Sequence, residues 1–363
     1  MDNNKLFCLA FSHFLGIGPI KFKLLIKVFG TVEKAYEASD KKLVEILGAK
    51  TGEKFCRFRR RFEPEKKLSE LYKKQITVIT QLDPRFPQSL KNISDPPICL
   101  YVKGDISQVD WEKEFCFAVV GTRQPTSYGQ QVTRIFARQL AEAGLVIVSG
   151  MAIGVDALAH QAALSAGKKT VAVLGCGVDI IYPAINARLY HQIIKDKGLV
   201  ISEFPPGQMV LKGLFIARNR IISGLSRGVL IVEGAKDSGA LITARYAAEQ
   251  GKEVFAPPAP ITSKMSAAPN LLLKEGAKLV TAVEDIFEEF NLKVRKIDRL
   301  ALTKSLTEDE KKIFQILDKE PLLVDNLVLM LKKPAGELLS ILSILEIKGL
   351  VEKDKQGKYG LKV

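Results

Sequence analysis

Histidine is scarce in this chain of 363 residues: His13, His160 and His191 stand far apart, which leaves no metal-binding cluster of imidazoles. The five cysteines (Cys8, Cys56, Cys99, Cys116 and Cys176) include no C-x-x-C pair. That excludes a disulfide scaffold and a cysteine-built zinc site, and it suits a reducing, cytoplasmic compartment. No apolar run approaches the ~18–20 residues that span a bilayer. The N-terminus MDNNKLFCLA has no basic stretch leading into a long apolar core, so neither a signal peptide nor a membrane association is expected. The dinucleotide fingerprint G-x-G-x-x-G is missing as well. Its nearest approach, Gly175-Cys176-Gly177, has no third glycine in place, and no ribose-binding acid follows. Gly150-x-x-x-Gly154 lacks the Lys-Ser/Thr of a phosphate-binding P-loop. No tightly bound cofactor is therefore expected, neither NAD nor ATP.

What the chain does have is positive charge, a formal +14. The excess is spread, at +6 over residues 1–114, +4 over 115–290 and +4 over 291–363. A negatively charged partner fits every part, although a solubility charge on an ordinary protein gives the same arithmetic. Hydrophobic residues make up 47% of the sequence, enough for packed cores. At about 100–200 residues per domain the length suggests two or three domains.

Residues 1–75 read as a helical domain. Leu15-Gly16-Ile17-Gly18-Pro19-Ile20 joins one apolar helix to a second that starts at Pro19 and stops at Gly30. The turn matches a helix-hairpin-helix, whose backbone N–H groups hold phosphate without reading sequence. Lys21, Lys23 and Lys27 add charge, while the plain alternative is a helical hairpin that only packs. The basic run over 54–74 (Arg57, Arg59, Arg60, Arg61, Lys66, Lys67, Lys73 and Lys74) reads as a solvated helix face partly paired with Glu63, Glu65 and Glu70. Residues 76–104 hold two short strand-like pieces, Ile76–Thr80 and Ile98–Val102.

Over residues 76–290 the expected core is an extended Rossmann-like α/β domain, a doubly wound parallel sheet. Apolar runs at Phe115–Val120, Leu145–Val148, Thr170–Leu174, Leu199–Ile201, Val229–Val232 and Glu253–Ala256 alternate with helical patterns. The helices are Tyr128–Ala143, Val155–Ala166, Asn186–Lys195, Ile216–Leu225 and Ala240–Gln250. A charged linker over 291–302 leads to 303–363. There Thr307 caps a helix, two more helices follow, and a two-stranded hairpin completes the parts of a winged helix.

In an open parallel sheet ligands bind beyond the carboxyl ends of the strands. Glycines and polar residues of this chain fall there: Gly121-Thr122-Arg123, Ser149-Gly150 with Asp156 and His160, Gly175-Cys176-Gly177 leading to Tyr182-Pro183, Ser202-Glu203, and Glu233 with Ser238-Gly239. Such turns let backbone amides and helix dipoles approach an anion. Lys212-Gly213-Leu214-Phe215-Ile216-Ala217-Arg218-Asn219-Arg220 adds a lysine, an aromatic and two arginines near one strand edge. The cations suit phosphates, and an aromatic face stacks on an unpaired base. The plainer reading puts Phe215 in the core and pairs Arg218 and Arg220 with Glu203 or Glu233. Asp156, Asp179, Glu203, Glu233 and His160 do not assemble by spacing into a nucleophile with an oriented base, so no catalytic residue is assigned. Asp156, Ser149 and Ser238 read as turn and cap residues.

Together these motifs resemble the DprA/Smf DNA-processing family. Those that carry the likeness are Val120-Gly121-Thr122-Arg123 with Tyr128-Gly129, Ser149-Gly150-Met151-Ala152-Ile153-Gly154-Val155-Asp156 with Ala159-His160, Ala172-Val173-Leu174-Gly175 with Tyr182-Pro183, Ser202-Glu203 with Pro206-Gly207, Phe215 with Arg218-Asn219-Arg220-Ile221-Ile222, and Glu233 with Ser238-Gly239-Ala240-Leu241-Ile242-Thr243-Ala244. The likeness covers about residues 80–285 in order and spacing. It implies a non-enzymatic, homodimeric protein that binds and shields single-stranded DNA and loads a RecA-type recombinase in natural transformation or recombination. Carried onto this sequence, it implies phosphate contacts from Arg123, Lys212 and the backbone at Gly150 and Ser238-Gly239. It makes Phe215 the base-stacking aromatic, and Arg218, Asn219 and Arg220 shape the pocket. Departures stand at Ile153, where a basic residue is usual, at Ile216, where Pro is usual, and at Ala259 and Ala268, where Gly is usual. Leu271, Leu273 and Leu279 offer a dimer patch, or else belong to the core.

Two other readings compete. A nucleotide-cleaving phosphoribohydrolase would share the Rossmann-like sheet, but its P-G-G-x-G-T-x-x-E signature is absent. A winged helix that reads duplex DNA would use 336–348 as its recognition helix, yet Leu338-Leu339-Ser340-Ile341-Leu342-Ser343-Ile344-Leu345 is too apolar for base edges and fits a protein contact better.

Overall fold

Short apolar strands whose two faces are both covered by helices form the centre of the protein. The computed structural model describes residues 3–292, 306–318, 320–347, 350–354 and 357–361. Two compact units divide the chain, Met1–Val294 and Arg295–Val363.

The first unit begins with six helices: α1 Asn3–His13, α2 Pro19–Phe29, α3 Val32–Glu37, α4 Asp40–Leu47, α5 Ala49–Arg59 and α6 Pro64–Lys73. As the sequence suggests, α2 starts with Pro19 and stops at Gly30, whose φ of 85° suits a residue without a side chain. There follow β1 Thr77–Thr80, α7 Gln88–Lys91, β2 Cys99–Lys103, β3 Cys116–Val120, α8 Ser127–Glu142, β4 Val146–Ser149, α9 Val155–Ser165, β5 Thr170–Val173, α10 Ala187–Lys195 and β6 Leu199–Ser202. The unit ends with α11 Lys212–Leu225, β7 Gly228–Ile231, α12 Gly239–Glu249, β8 Glu253–Ala256, α13 Ala267–Lys274, β9 Lys278–Leu279 and α14 Val283–Glu289.

These strands make one sheet in the order β1-β2-β6-β5-β4-β3-β7-β8-β9. From β6 through β9 the neighbours are parallel. At the other edge the two short strands join the same sheet antiparallel, with Tyr101 opposite Ser202 and Val78 opposite Tyr101. The strand positions follow the apolar runs; the antiparallel extension and β9 do not show in them. Residues alternate between faces: Ala118, Val148, Val173 and Ile231 meet α11 and α12, while Phe117, Val119, Ile147 and Leu230 meet α8, α9 and α14. Fully burying one such side chain contributes about 1.5–3 kcal/mol. The N-terminal helices share a core with β1 and β2, Phe11, Leu25 and Phe55 packing with Val78, Cys99 and Tyr101.

The second unit contains α15 Glu308–Leu317, α16 Val324–Leu331, α17 Ala335–Ile347, and the hairpin β10 Val351–Lys353 with β11 Tyr359–Leu361. Thr307 caps α15 by accepting from Glu310 N (3.3 Å), and the Glu310 carboxylate accepts from Thr307 N (2.8 Å). Helix α17 turns Leu338, Leu342 and Leu345 inward and leaves Leu339 and Ile344 exposed. Three helices and a hairpin match the expected winged helix. Most of the expected linker over 291–302 lies outside the described residues, as do Lys348 and Gly349.

Candidate nucleic-acid interface

Strand β3 sits where the winding reverses. Its own connection leads to β4 on one side, while β7, its other neighbour, leads on to β8. Loops leave such a switch point in opposite directions and open a crevice at the carboxyl ends of the strands. A cleft of about 750 Å³ lies there, lined by the loop after β3 (Gly121, Thr122, Arg123), the first turns of α11 (Lys212, Phe215, Ile216, Arg218, Asn219) and the β7–α12 turn (Asp237, Ser238, Gly239). Tyr182, Leu211 and Ala152 complete the wall.

Four helices, α8, α9, α11 and α12, start around this cleft, and two of their N-termini are already occupied by the protein's own acids. The buried Glu233 carboxylate accepts from Thr126 N (2.9 Å) and Thr126 Oγ1 (2.6 Å) at the cap of α8. At α9 the buried Asp156 carboxylate accepts from Ala152 N (3.4 Å). At the starts of α11 and α12 no carboxylate accepts from a first-turn amide among the described residues, and the exposed Asp237 stands beside the cap Ser238 on the cleft wall. The two helices begin at Lys212-Gly213 and Ser238-Gly239, and all four residues are exposed or half-buried. Ser238 Oγ accepts from Ala240 N (3.3 Å) and Ser238 O from Leu241 N (3.1 Å), which fixes the turn that lines the cleft.

Helix α11 starts a turn earlier than its apolar pattern suggests, so Lys212 and Phe215 ride on its first turn and not on a strand edge. Lys212 is exposed and has no hydrogen-bond or ion-pair partner among the described residues. Phe215 is half-buried. Its ring lies 5.8 Å from the Arg123 guanidinium and 5.6 Å from the Tyr182 ring, tilted 40°. Behind it runs Gly175, where a Cβ would come within 2.8 Å of the Phe215 ring.

The other two arginines of the segment turn inward. Arg218 is 5% exposed and donates to the carbonyls of Gly150 (2.6 Å) and Val173 (2.5 Å), at the ends of β4 and β5. Its Nε donates to Asn219 Oδ1 (3.1 Å), and Asn219 Nδ2 donates to Gly239 O (3.3 Å), which ties α11 to the start of α12. Burial pushes the Asp156 carboxyl up, against the pull of the Arg218 charge, and burial lowers the Arg218 guanidinium. Arg220 is 2% exposed and chelates both oxygens of Glu203 (2.6 Å each) while its Nε holds Asp95 (2.8 Å). Burial opposes the Arg220 charge, but the two acids hold its pKa above the ordinary value.

The expected contact set therefore divides. Arg123, Lys212, Phe215, Asn219, Ser238 and Gly239 come together at the cleft, and Arg218 forms part of its floor. Arg220 and Gly150 do not line it. Arg220 is consumed by Glu203, as the plainer sequence reading has it, and by Asp95. Gly150 is buried because its backbone receives Arg218, and a Cβ there would strike that guanidinium and the Asp156 carboxylate, both at 2.6 Å. Glu233 pairs with Thr126 rather than with an arginine. Ser149, read as a cap, donates instead to Val119 O across the sheet (2.7 Å). His160 is fully buried against Thr170 (2.7 Å), and burial, reinforced by the Arg218 charge, lowers its pKa to about 3, so it is a neutral core residue. Thr122, Ala152, Tyr182, Leu211, Ile216 and Asp237 also line the cleft. The strand-end rule reaches the first three, and the early start of α11 accounts for Leu211 and Ile216.

Elsewhere, Lys21 is used internally, donating to Gly16 O and Thr51 Oγ1 (both 3.2 Å), while Lys23 and Lys27 stay exposed. In the basic run, Arg59 and Arg60 pair with Asp40, Lys66 with Glu63 and Lys67 with Glu70. Leu271 and Leu279 are exposed, at 40% and 54%, and Leu273 is half-buried, on α13 and the edge strand β9.

The chain is similar in sequence and fold to known proteins. The family described as DNA recombination-mediator protein A matches residues 77–291, and the DprA winged helix domain matches 299–357. Protein Smf of Synechocystis sp. is 34% identical over 99% of this chain and 99% of its own. The X-ray structure of DNA processing protein A from Streptococcus pneumoniae superposes with a TM-score of 0.68 at 36% identity, covering 80% of this chain and 98% of that one. DNA processing protein A of Helicobacter pylori, whose structure addresses its single-stranded DNA binding mode, gives 0.54 at 33% identity over 61% of this chain and 98% of that one.

Proposed function

The chain belongs to the DNA recombination-mediator protein A family, and from that premise we propose that it binds single-stranded DNA in the cleft at the β3–β7 switch point. The observation that carries this reading is the pairing of Phe215, presented on the first turn of α11, with exposed cations at Lys212 and Arg123 that hold no ion pair among the described residues, beside the starts of α11 and α12. An aromatic face in a basic cleft selects unpaired bases, because a base in a duplex is already stacked and its face cannot reach the ring. Phosphates on either side meet Lys212, Arg123 and the amides at Ser238-Gly239. Asn219 sets the spacing of the two helix starts, and Arg218 supports the floor.

The reading is of a binding protein and not an enzyme. Asp156, Glu203 and Glu233, three acids of this edge, are engaged with Arg218, Arg220 and Thr126, and the cleft offers no oriented nucleophile and base. As a DNA-processing recombination mediator, the protein would shield the strand and load a RecA-type recombinase on it, in recombination or natural transformation. It would act as a homodimer through Leu271, Leu273 and Leu279.

The test is binding of a labelled single strand of about 30 nucleotides and the matching duplex across a salt series. Each phosphate contact contributes about −0.7 to the log–log slope for single strands, so Lys212→Ala should flatten the slope by about that amount. Equal, weak binding to both DNAs, unchanged by Lys212→Ala and Phe215→Ala, would remove the cleft assignment. Release of free base from a nucleoside monophosphate would replace it with the hydrolase reading.

A further inference from the structure

We propose that Tyr182 is a second base platform, so that the cleft takes two successive unstacked bases of a single strand, one on Phe215 and one on Tyr182. This rests on the single-strand reading of the cleft and adds a residue and a footprint to it.

Tyr182 is 42% exposed, and among the described residues only Tyr72, on α6, is an aromatic exposed to a similar degree. Its hydroxyl has no protein partner among the described residues, whereas those of Tyr101, Tyr128 and Tyr190 are all bonded, to Ser12, Pro258 O and Val178 O. The segment that carries it is fixed at both ends. Before it, Ile180 N donates to Gly177 O (2.9 Å) and the Asp179 carboxylate accepts from Gly207 N (2.8 Å). After it, Asn186 donates to Pro183 O (3.0 Å) and, through Nδ2, to Met151 O (2.8 Å). An exposed ring on a tethered backbone is presented to the cleft at little entropic cost on binding.

Its relation to Phe215 sets the footprint. The two planes diverge by 40° with centroids 5.6 Å apart. Bases lying on both rings cannot remain stacked on each other, which a duplex forbids and a flexible single strand allows. The rim beside the rings is apolar, with Leu211 and Ile216 exposed, so it suits base faces more than phosphates. The unpaired hydroxyl remains available to donate to a phosphate or to a base edge.

The experiment measures affinity of the full chain for a labelled oligothymidine of about 30 nucleotides with wild type, Tyr182→Ala, Tyr182→Leu, Tyr182→Phe, Phe215→Ala and the Tyr182→Ala/Phe215→Ala double variant. The expected result is a loss of about tenfold for Tyr182→Ala, the same for Tyr182→Leu, and retention within about threefold for Tyr182→Phe, at the scale of one base–aromatic stack. The losses from Tyr182→Ala and Phe215→Ala should multiply in the double variant. If Tyr182→Ala has no effect in the Phe215→Ala background, the tyrosine only buttresses Phe215 and the proposal fails. Unchanged binding by Tyr182→Ala beside a clear loss in Phe215→Ala also overturns it, while leaving the single-strand reading intact. If neither single variant weakens binding, the base-stacking reading itself fails.

Discussion

Helix α11 does two jobs along its 14 residues, and its halves are best understood against each other. Its first turn carries Lys212 and Phe215 into the cleft, exposed or half-buried and held only by Gly175 and the neighbouring rings. One turn later, Arg218 and Arg220 are at most 5% exposed, Arg218 donating to strand-end carbonyls and Arg220 to carboxylates. Cations within nine residues of each other thus differ in kind. A cation left without a partner is free for phosphate, while a buried one bonded to Glu203 and Asp95 anchors the helix that presents the first.

The largest effect should come from breaking the anchor. Arg220→Met leaves Glu203 and Asp95 facing each other without their cation, and losing one partner of a buried ion pair costs about 3–5 kcal/mol. Urea unfolding should show that drop, and the folded fraction should keep its affinity for single-stranded DNA within about threefold. Phe215→Ala should do the reverse. Affinity falls by the worth of one stacked base, about 1–3 kcal/mol, while the urea midpoint hardly moves.

A smaller effect sets folding stability apart from DNA binding by pH. His160, fully buried, and His13, half-buried beside Tyr101, are lowered by burial to about 3 and about 4. Above pH 6.5 both are neutral folded and unfolded. Below it the unfolded chain takes up protons that the folded one refuses, so stability falls as pH drops. From pH 6.5 to 5, before ordinary carboxylates titrate, the slope should approach about 1.4 kcal/mol per pH unit for each histidine. His13→Gln should remove about half of it in urea titrations, with DNA affinity at pH 7 unchanged. The smallest effect should come from ending the chain at residue 294. All cleft-lining residues lie between Val120 and Thr243, so affinity for a short single strand should stay within about threefold.

Much of this was legible beforehand. Strands β3 to β8 were readable because both faces of each are covered, which forces continuous apolar runs such as Cys116–Val120. The antiparallel edge was not, since the pairing of Tyr101 with Ser202 joins positions a hundred residues apart and leaves no local mark. The start of α11 was hidden by Gly213, a poor helix former that costs little in a first turn whose amides have no partners within the helix. The cleft residues were named from motif order and strand ends. What sequence could not show was burial: Asp95, 125 positions from Arg220, is the partner that withdraws that arginine from the cleft, and nothing in the run Arg218-Asn219-Arg220 distinguishes a floor residue from an anchor.

The most direct measurement of the central claim is the affinity of the Lys212→Ala/Phe215→Ala double variant for a labelled single strand of about 30 nucleotides at fixed salt, beside wild type. Loss of one phosphate contact and one stacked base predicts a fall of at least about thirtyfold. Binding as tight as wild type would contradict the account, because the exposed turn of α11 would then hold no DNA.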